Sequence, residues 1–147
     1  MKSLLFSVAF GLFGALMLGG CGKFGKVPDA VHAAFEAKYP GENKPDWQVD
    51  RNGNFEAHFK EDGEKFRADF SPSGAWIETE RSIKRKELPD AVKEAIEKQY
   101  KDIKIVEVEW VDHAQRGIFY DVEFKEGGRK YDVEFSTQGT IVGGEGD

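Results

Sequence analysis

Cysteine is almost missing from this chain: 147 residues contain one, Cys21. A lone thiol closes no disulfide within the chain, so stability has to come from packing. It also leaves zinc without a cysteine set, and the three histidines lack paired ligand spacing. Basic residues are outnumbered, with 21 Lys and Arg against 27 Asp and Glu for a net charge of −6. That balance argues against nucleic acid as a partner and against a polybasic grip on anionic lipid. Catalytic signatures are missing as well. No Gly-x-Ser-x-Gly, His-Glu-x-x-His or glycine-rich phosphate loop is present. His32, His58 and His113 fall on a polar helix face, an outward strand position and a turn. The chain reads as a non-enzyme with no cofactor and no metal.

What is present begins at the N-terminus. Lys2 is followed by a charge-free apolar run from Leu4 to Leu18, then by Gly19-Gly20-Cys21. This is the layout of a secretory signal peptide, and the run is shorter than the roughly 18 to 20 apolar residues a membrane span needs. Leu18-Gly19-Gly20-Cys21 resembles a bacterial lipobox. The resemblance implies cleavage after residue 20, acylation of Cys21, and attachment to the membrane through that lipid. Gly22 stands where an Asp would hold a lipoprotein in the inner membrane of many diderm bacteria. The expected location is therefore the cell envelope, on the periplasmic side of the outer membrane. Residues 21–26 read as the lipidated tether.

Beyond the tether the sequence recurs. Val27-Pro28-Asp29-Ala30-Val31 returns as Leu88-Pro89-Asp90-Ala91-Val92, and Lys65-Phe66-Arg67-Ala68-Asp69-Phe70-Ser71 as Lys130-Tyr131-Asp132-Val133-Glu134-Phe135-Ser136. A longer turn at 112–117, against Arg51-Asn52-Gly53-Asn54, accounts for the changed offset. Two matched blocks in the same order favour a duplication. Each copy opens on a helix with Pro in its first turn and Asp after it. Val31, Phe35 and Tyr39 share one helix face, as do Val92, Ile96 and Tyr100. Strands then alternate: Phe55, Ala57 and Phe59 point opposite to Glu56, His58 and Lys60, and the pattern recurs at Phe66–Phe70, Tyr120–Phe124 and Tyr131–Phe135. Asn52-Gly53, Asp62-Gly63, Ser73-Gly74, Gly127-Gly128 and Gln138-Gly139 mark the turns.

The fold expected is α+β, a tandem repeat of one helix plus an antiparallel sheet of about four strands behind a lipoprotein signal peptide. The first repeat spans 27–80, a connector 81–87, the second repeat 88–142, and a flexible tail 143–147. Arg81, Lys84, Arg85 and Lys86 read as a charged connector, with contact to anionic headgroups as the alternative. Trp47, Trp76 and Trp110 read as packing residues.

A Leu/Val-Pro-x-Ala-Val helix, then a meander ending in Phe-Ser-x-x-Gly-x-Trp/Ile, behind an export signal, resembles the PepSY-like, β-lactamase-inhibitor-like family of exported bacterial proteins. The resemblance implies a non-enzymatic envelope module that binds through its sheet. PepSY-type domains are associated with inhibition of peptidases, and the β-lactamase inhibitor grips its target with a sheet face.

Outward positions of the second repeat collect Glu107, Glu109, Asp121, Glu123, Asp132 and Glu134, while the first carries a mixed set including His58, Lys60 and Arg67. The acidic set reads as a solvated face, as a docking surface for a basic protein or peptide, or as a calcium site lacking an Asp-x-Asp-x-Asp-Gly loop. The function expected is a lipid-anchored envelope binding module, an inhibitor of or docking partner for an envelope peptidase or other hydrolase. The alternative is a structural envelope lipoprotein with no discrete partner. Cys21→Ser is expected to leave the protein unprocessed or released from the membrane; an unmodified Cys21 thiol in the mass spectrum of the mature wild type would refute the lipid.

Overall fold

The computed structural model describes residues 26–42 and 44–144. Cys21, the segment 1–20 and most of the tether lie outside the described residues. The chain forms α1 (Asp29–Lys38), β1 (Asp46–Val49), β2 (Phe55–Glu61), β3 (Glu64–Phe70), β4 (Trp76–Ser82), a 3-10 turn (Arg85–Glu87), α2 (Asp90–Gln99), β5 (Lys104–His113), β6 (Gly117–Glu126), β7 (Arg129–Ser136) and β8 (Ile141–Gly144).

Both helices start from proline for a local reason. Pro28 and Pro89 stand at the N-caps in extended conformation (φ −59°, ψ 143° and φ −55°, ψ 148°), one position earlier than expected. The carbonyl of Pro28 accepts from Val31 and His32 at 3.0 and 3.1 Å, and that of Pro89 from Val92 and Lys93 at 3.0 Å each. The imino ring removes a backbone donor where the helix has no acceptor for it. Asp29 and Asp90 then complement the positive helix end.

The expected pair of four-stranded sheets is not what forms. All eight strands join one antiparallel sheet in the order β1-β2-β3-β4-β5-β6-β7-β8. The pairing that overturns two separate units is β4 with β5, where Glu78, Thr79, Glu80, Arg81 and Ser82 face His113, Asp112, Val111, Trp110 and Glu109. Two separate sheets would each present a bare edge of backbone donors and acceptors; joining β4 to β5 satisfies both. The segment expected as connector serves this seam. Arg81 and Ser82 lie in β4, and Ile83 donates to the carbonyl of Val108 at 2.9 Å. At the far end β8 reaches Gly144, into the segment expected as a free tail.

Both helices lie on one side of the sheet. Under α1 are Val31, Phe35, Ala57, Phe59, Ala68 and Phe70; under α2 are Val92, Ile96, Val108, Val122, Phe124 and Phe135. The Phe35 ring lies 5.2 Å from Phe59 and 6.2 Å from Phe70, edge-on in both cases. Two turns press against the helices so closely that only glycine fits. A Cβ on Gly74 (φ +86°) would meet the carbonyl oxygen of Ala30 at 2.6 Å, and one on Gly139 (φ +77°) would strike that of Ala91. Beside the α1 core, Trp76 donates Nε1–H to Thr79 Oγ1 at 3.0 Å, and the Tyr39 hydroxyl bonds the same atom.

Phe70 and Phe135 are fully buried. Truncating either to Ala is expected to cost about 3–5 kcal/mol, read as a fall in melting temperature by circular dichroism; an unmoved transition would contradict the assigned inward face.

Candidate docking face

The side of the sheet away from the helices is built by register. In antiparallel pairs, directly opposed side chains lie on one face with Cβ atoms about 4.5–5.5 Å apart. The hairpins here put acids opposite acids. Glu56 faces Asp69, and Asp69 faces Glu78, forming one ladder across β2, β3 and β4. Glu109 faces Asp121, which faces Glu134; Glu107 faces Glu123, which faces Asp132. The last two ladders cross β5, β6 and β7. The six acidic candidates from the sequence, Glu107, Glu109, Asp121, Glu123, Asp132 and Glu134, are thus brought together as two three-strand ladders. Like charges directly opposed disfavour the sheet that holds them.

The first half of the face is not the exposed mixed surface that the sequence suggested. Asp69, Glu78 and Glu80 are only 5%, 5% and 3% exposed, on a side that neither helix covers. Their own neighbours bury them. Glu80 faces Arg67 on β3 and Val111 on β5, and Val111 faces Phe119 on β6. Val111 and Phe119 are buried too, an apolar strip running through the charged face. Arg67 lies at the centre, ion-paired with Glu80 and 3.8 Å from Asp69 Oδ1 through its Nε. Other basic side chains lie elsewhere on the face. Arg116, from the β5–β6 turn, donates to Glu134 Oε1 at 3.2 Å and bonds Oε2 as well, with its guanidinium 4.1 Å above the Phe119 ring. Lys130 lies 2.8 Å from Glu123 Oε1. His58 Nε2 lies 3.5 Å from Glu56 Oε2.

Burial and crowding raise the acids. Asp69 is pushed up to about 6 by burial, with Arg67 opposing and Glu56 adding to the rise. Asp121 is pushed up to about 7, by burial first and then by Asp132, Glu134 and Glu109. Burial also raises Glu78, Glu80 and Glu109, and Arg67 opposes it at each. The guanidinium itself stays charged: burial disfavours its cation, but Glu80, Asp69, Glu56 and Glu109 more than restore it.

Glu78 and Glu80 were not among the candidates taken from the sequence, which ended the first repeat at residue 80 and began a connector at 81. The signal was there: Glu78, Glu80 and Ser82 continue a period-two pattern around inward Thr79. Only the β4–β5 pairing gives that pattern a partner. Among the described residues no group of three His, Cys, Asp or Glu is disposed to hold a metal ion, and no helix is long and apolar enough to cross a membrane.

Comparison with known proteins agrees with this architecture. Residues 53–142 match the PepSY-like family, described as β-lactamase-inhibitor-like, and the chain belongs to that family. A BLIP-like protein from Bacteroides fragilis superimposes with a TM-score of 0.74 at 21% identity, covering 84% of this chain and 88% of its own. A DUF2874 family protein from Bacteroides ovatus gives 0.74 at 21% identity over 83% of this chain and 89% of its own. Another of that family, from Bacteroides uniformis, gives 0.72 at 24% identity over 80% and 88%. These likenesses establish the fold. No curated protein matches the chain.

Raised carboxyls carry a stability signature opposite to ordinary acid denaturation. The folded face holds protons that the unfolded chain releases near pH 4, so between about pH 4 and 7 the unfolded state binds fewer protons and stability falls as pH rises. The melting temperature is expected to be higher at about pH 5.5 than at about pH 8, by about 5 °C or more. A Glu78→Gln, Asp121→Asn double variant should flatten the difference. An unchanged or reversed slope in the wild type would contradict the raised acids.

Proposed function

We propose that this protein is a lipid-anchored binding module of the cell envelope that docks a basic surface of a protein partner against its acidic sheet face. The observation that carries this reading is the registered opposition of acids in three ladders. Holding like charges side by side works against the fold, and a cationic partner relieves it. A purely structural role offers no reason to keep them so. Potential from such a face also speeds encounter with a basic surface and weakens with salt.

Inhibition of an envelope peptidase or another hydrolase is the version favoured by family membership, since the family is described as β-lactamase-inhibitor-like and one fold neighbour is named BLIP-like. Family membership also favours a binding role over an enzymatic one. The anchor rests on Leu18-Gly19-Gly20-Cys21. In this reading residues 21–26 tether the sheet to the periplasmic side of the outer membrane, within reach of envelope proteins.

Decalysine serves as a minimal basic partner. Neutralising one ladder by Glu107→Gln, Glu123→Gln and Asp132→Asn together is expected to weaken its binding about tenfold or more at low salt, with circular dichroism unchanged. The control, Glu36→Gln, Glu94→Gln and Glu97→Gln on the exposed helix surfaces, changes the net charge equally. Equal loss in both triple variants would reduce the face to general charge and refute docking there.

A further inference from the structure

Three features of the open face converge on one consequence. Asp69 and Asp121 each stand in the middle of a ladder, with an acid directly opposite on both neighbouring strands. The apolar strip of Val111 and Phe119 runs between those ladders and keeps water from screening them. The central cation, Arg67, is committed to Glu80 and Asp69. Acids so placed resist full ionisation, because each new negative charge is set beside others in a poorly solvated place.

We propose that docking on this face is coupled to proton release: a basic partner seated over the ladders displaces protons that the crowded carboxyls hold while the face is empty, so binding is tight at neutral pH and loosens in mild acid. The inference rests on the docking reading above and adds its regulation. A partner's ammonium and guanidinium groups supply the opposite charge that the acids lack, which favours the ionised form of each. By reciprocity, protons compete with the partner.

The surroundings of the two central acids are the ground for it. Asp69 meets Glu56 and His58 from β2, Arg67 from its own strand, Glu78 from β4, and Asp50 from the turn before β2. The field around it is negative apart from Arg67 and the histidine. Asp121 meets Glu109 from β5 and Asp132 and Glu134 from β7, with Arg116 drawn off to Glu134. Both titrate near neutrality, at about 6 and about 7. An ordinary surface carboxylate, with a pKa near 4, is ionised throughout the range above about pH 5.5 and would release nothing on binding. Histidine is the competing source in that range. His58 lies beside Glu56, and His113 faces Glu78 across β4 and β5.

The test is calorimetry of decalysine with the full chain in detergent, at low salt, in phosphate and in Tris at about pH 6.5. These buffers differ in ionisation enthalpy, so released protons appear as a buffer-dependent heat. The expected result is release of about one proton or more per peptide and a dissociation constant that tightens about tenfold between about pH 5.5 and 8. A His58→Gln, His113→Gln variant should keep the release, whereas adding Glu78→Gln and Asp121→Asn should abolish most of it. Binding with the same heat in both buffers, or release lost with the histidines alone, would overturn the coupling and leave docking intact. No binding at any pH would overturn the docking reading itself.

Discussion

The pairing of β4 with β5 is the constraint on which the rest of the structure depends. Five residue pairs, from Glu78 with His113 to Ser82 with Glu109, turn two groups of strands into one sheet. Both helices then lie on the same side, each over its own apolar cluster. Most of the charge on the strands is left on the other side, although Arg81 and Asp112 share the face of Thr79. Without this seam, Glu80 and Val111 would belong to separate surfaces, and Arg67 would have no reason to be buried. With it, the acids of both halves share one field. The seam itself runs through Glu78 and Glu80, so the place where the two halves join is also where the acid burial is deepest.

Much of the fold was legible in the sequence because its signals are local. Pro28-Asp29 and Pro89-Asp90 mark helix starts that depend on nothing distant. The alternations at Phe55–Phe59 and Tyr131–Phe135 name the inward face of their own strands, and the contacts of Phe35 with Phe59 and Phe70 follow from it. What failed was the joining of strands. Backbone pairing between β4 and β5 leaves no periodic mark, and the Glu78–Glu87 stretch, rich in charge and without glycine or proline, reads equally well as an extended connector. Segmenting the chain there hid both the single sheet and the burial of Glu78 and Glu80.

The same limit applies to the candidate face. The six acids from Glu107 to Glu134 were identified from alternation alone, since period two fixes which side a residue faces. Which acid stands opposite which depends on hairpin register. The bulge near Val106 resets it so that Glu107 meets Glu123 and Ile105 meets Phe124. Arg67 was read as one member of a mixed surface. Its central place follows from Glu80, across β3 and β4, a residue not among the sequence candidates.

These acids work against the stability of the fold, most of all at neutral and higher pH where they must ionise in place, yet the sheet is built around them. Such a face is suited to a partner that brings positive charge with it, and the aromatic cores on the helix side supply the stability that the ladders remove. The most direct measurement of this account is a side-chain carboxyl titration by carbon-13 NMR with the aspartates and glutamates labelled. The account predicts that Asp69 and Asp121 titrate well above the usual carboxylate range, near 6 and 7, where an ordinary surface carboxylate titrates near 4. Titration of every carboxyl below about pH 5 would contradict it.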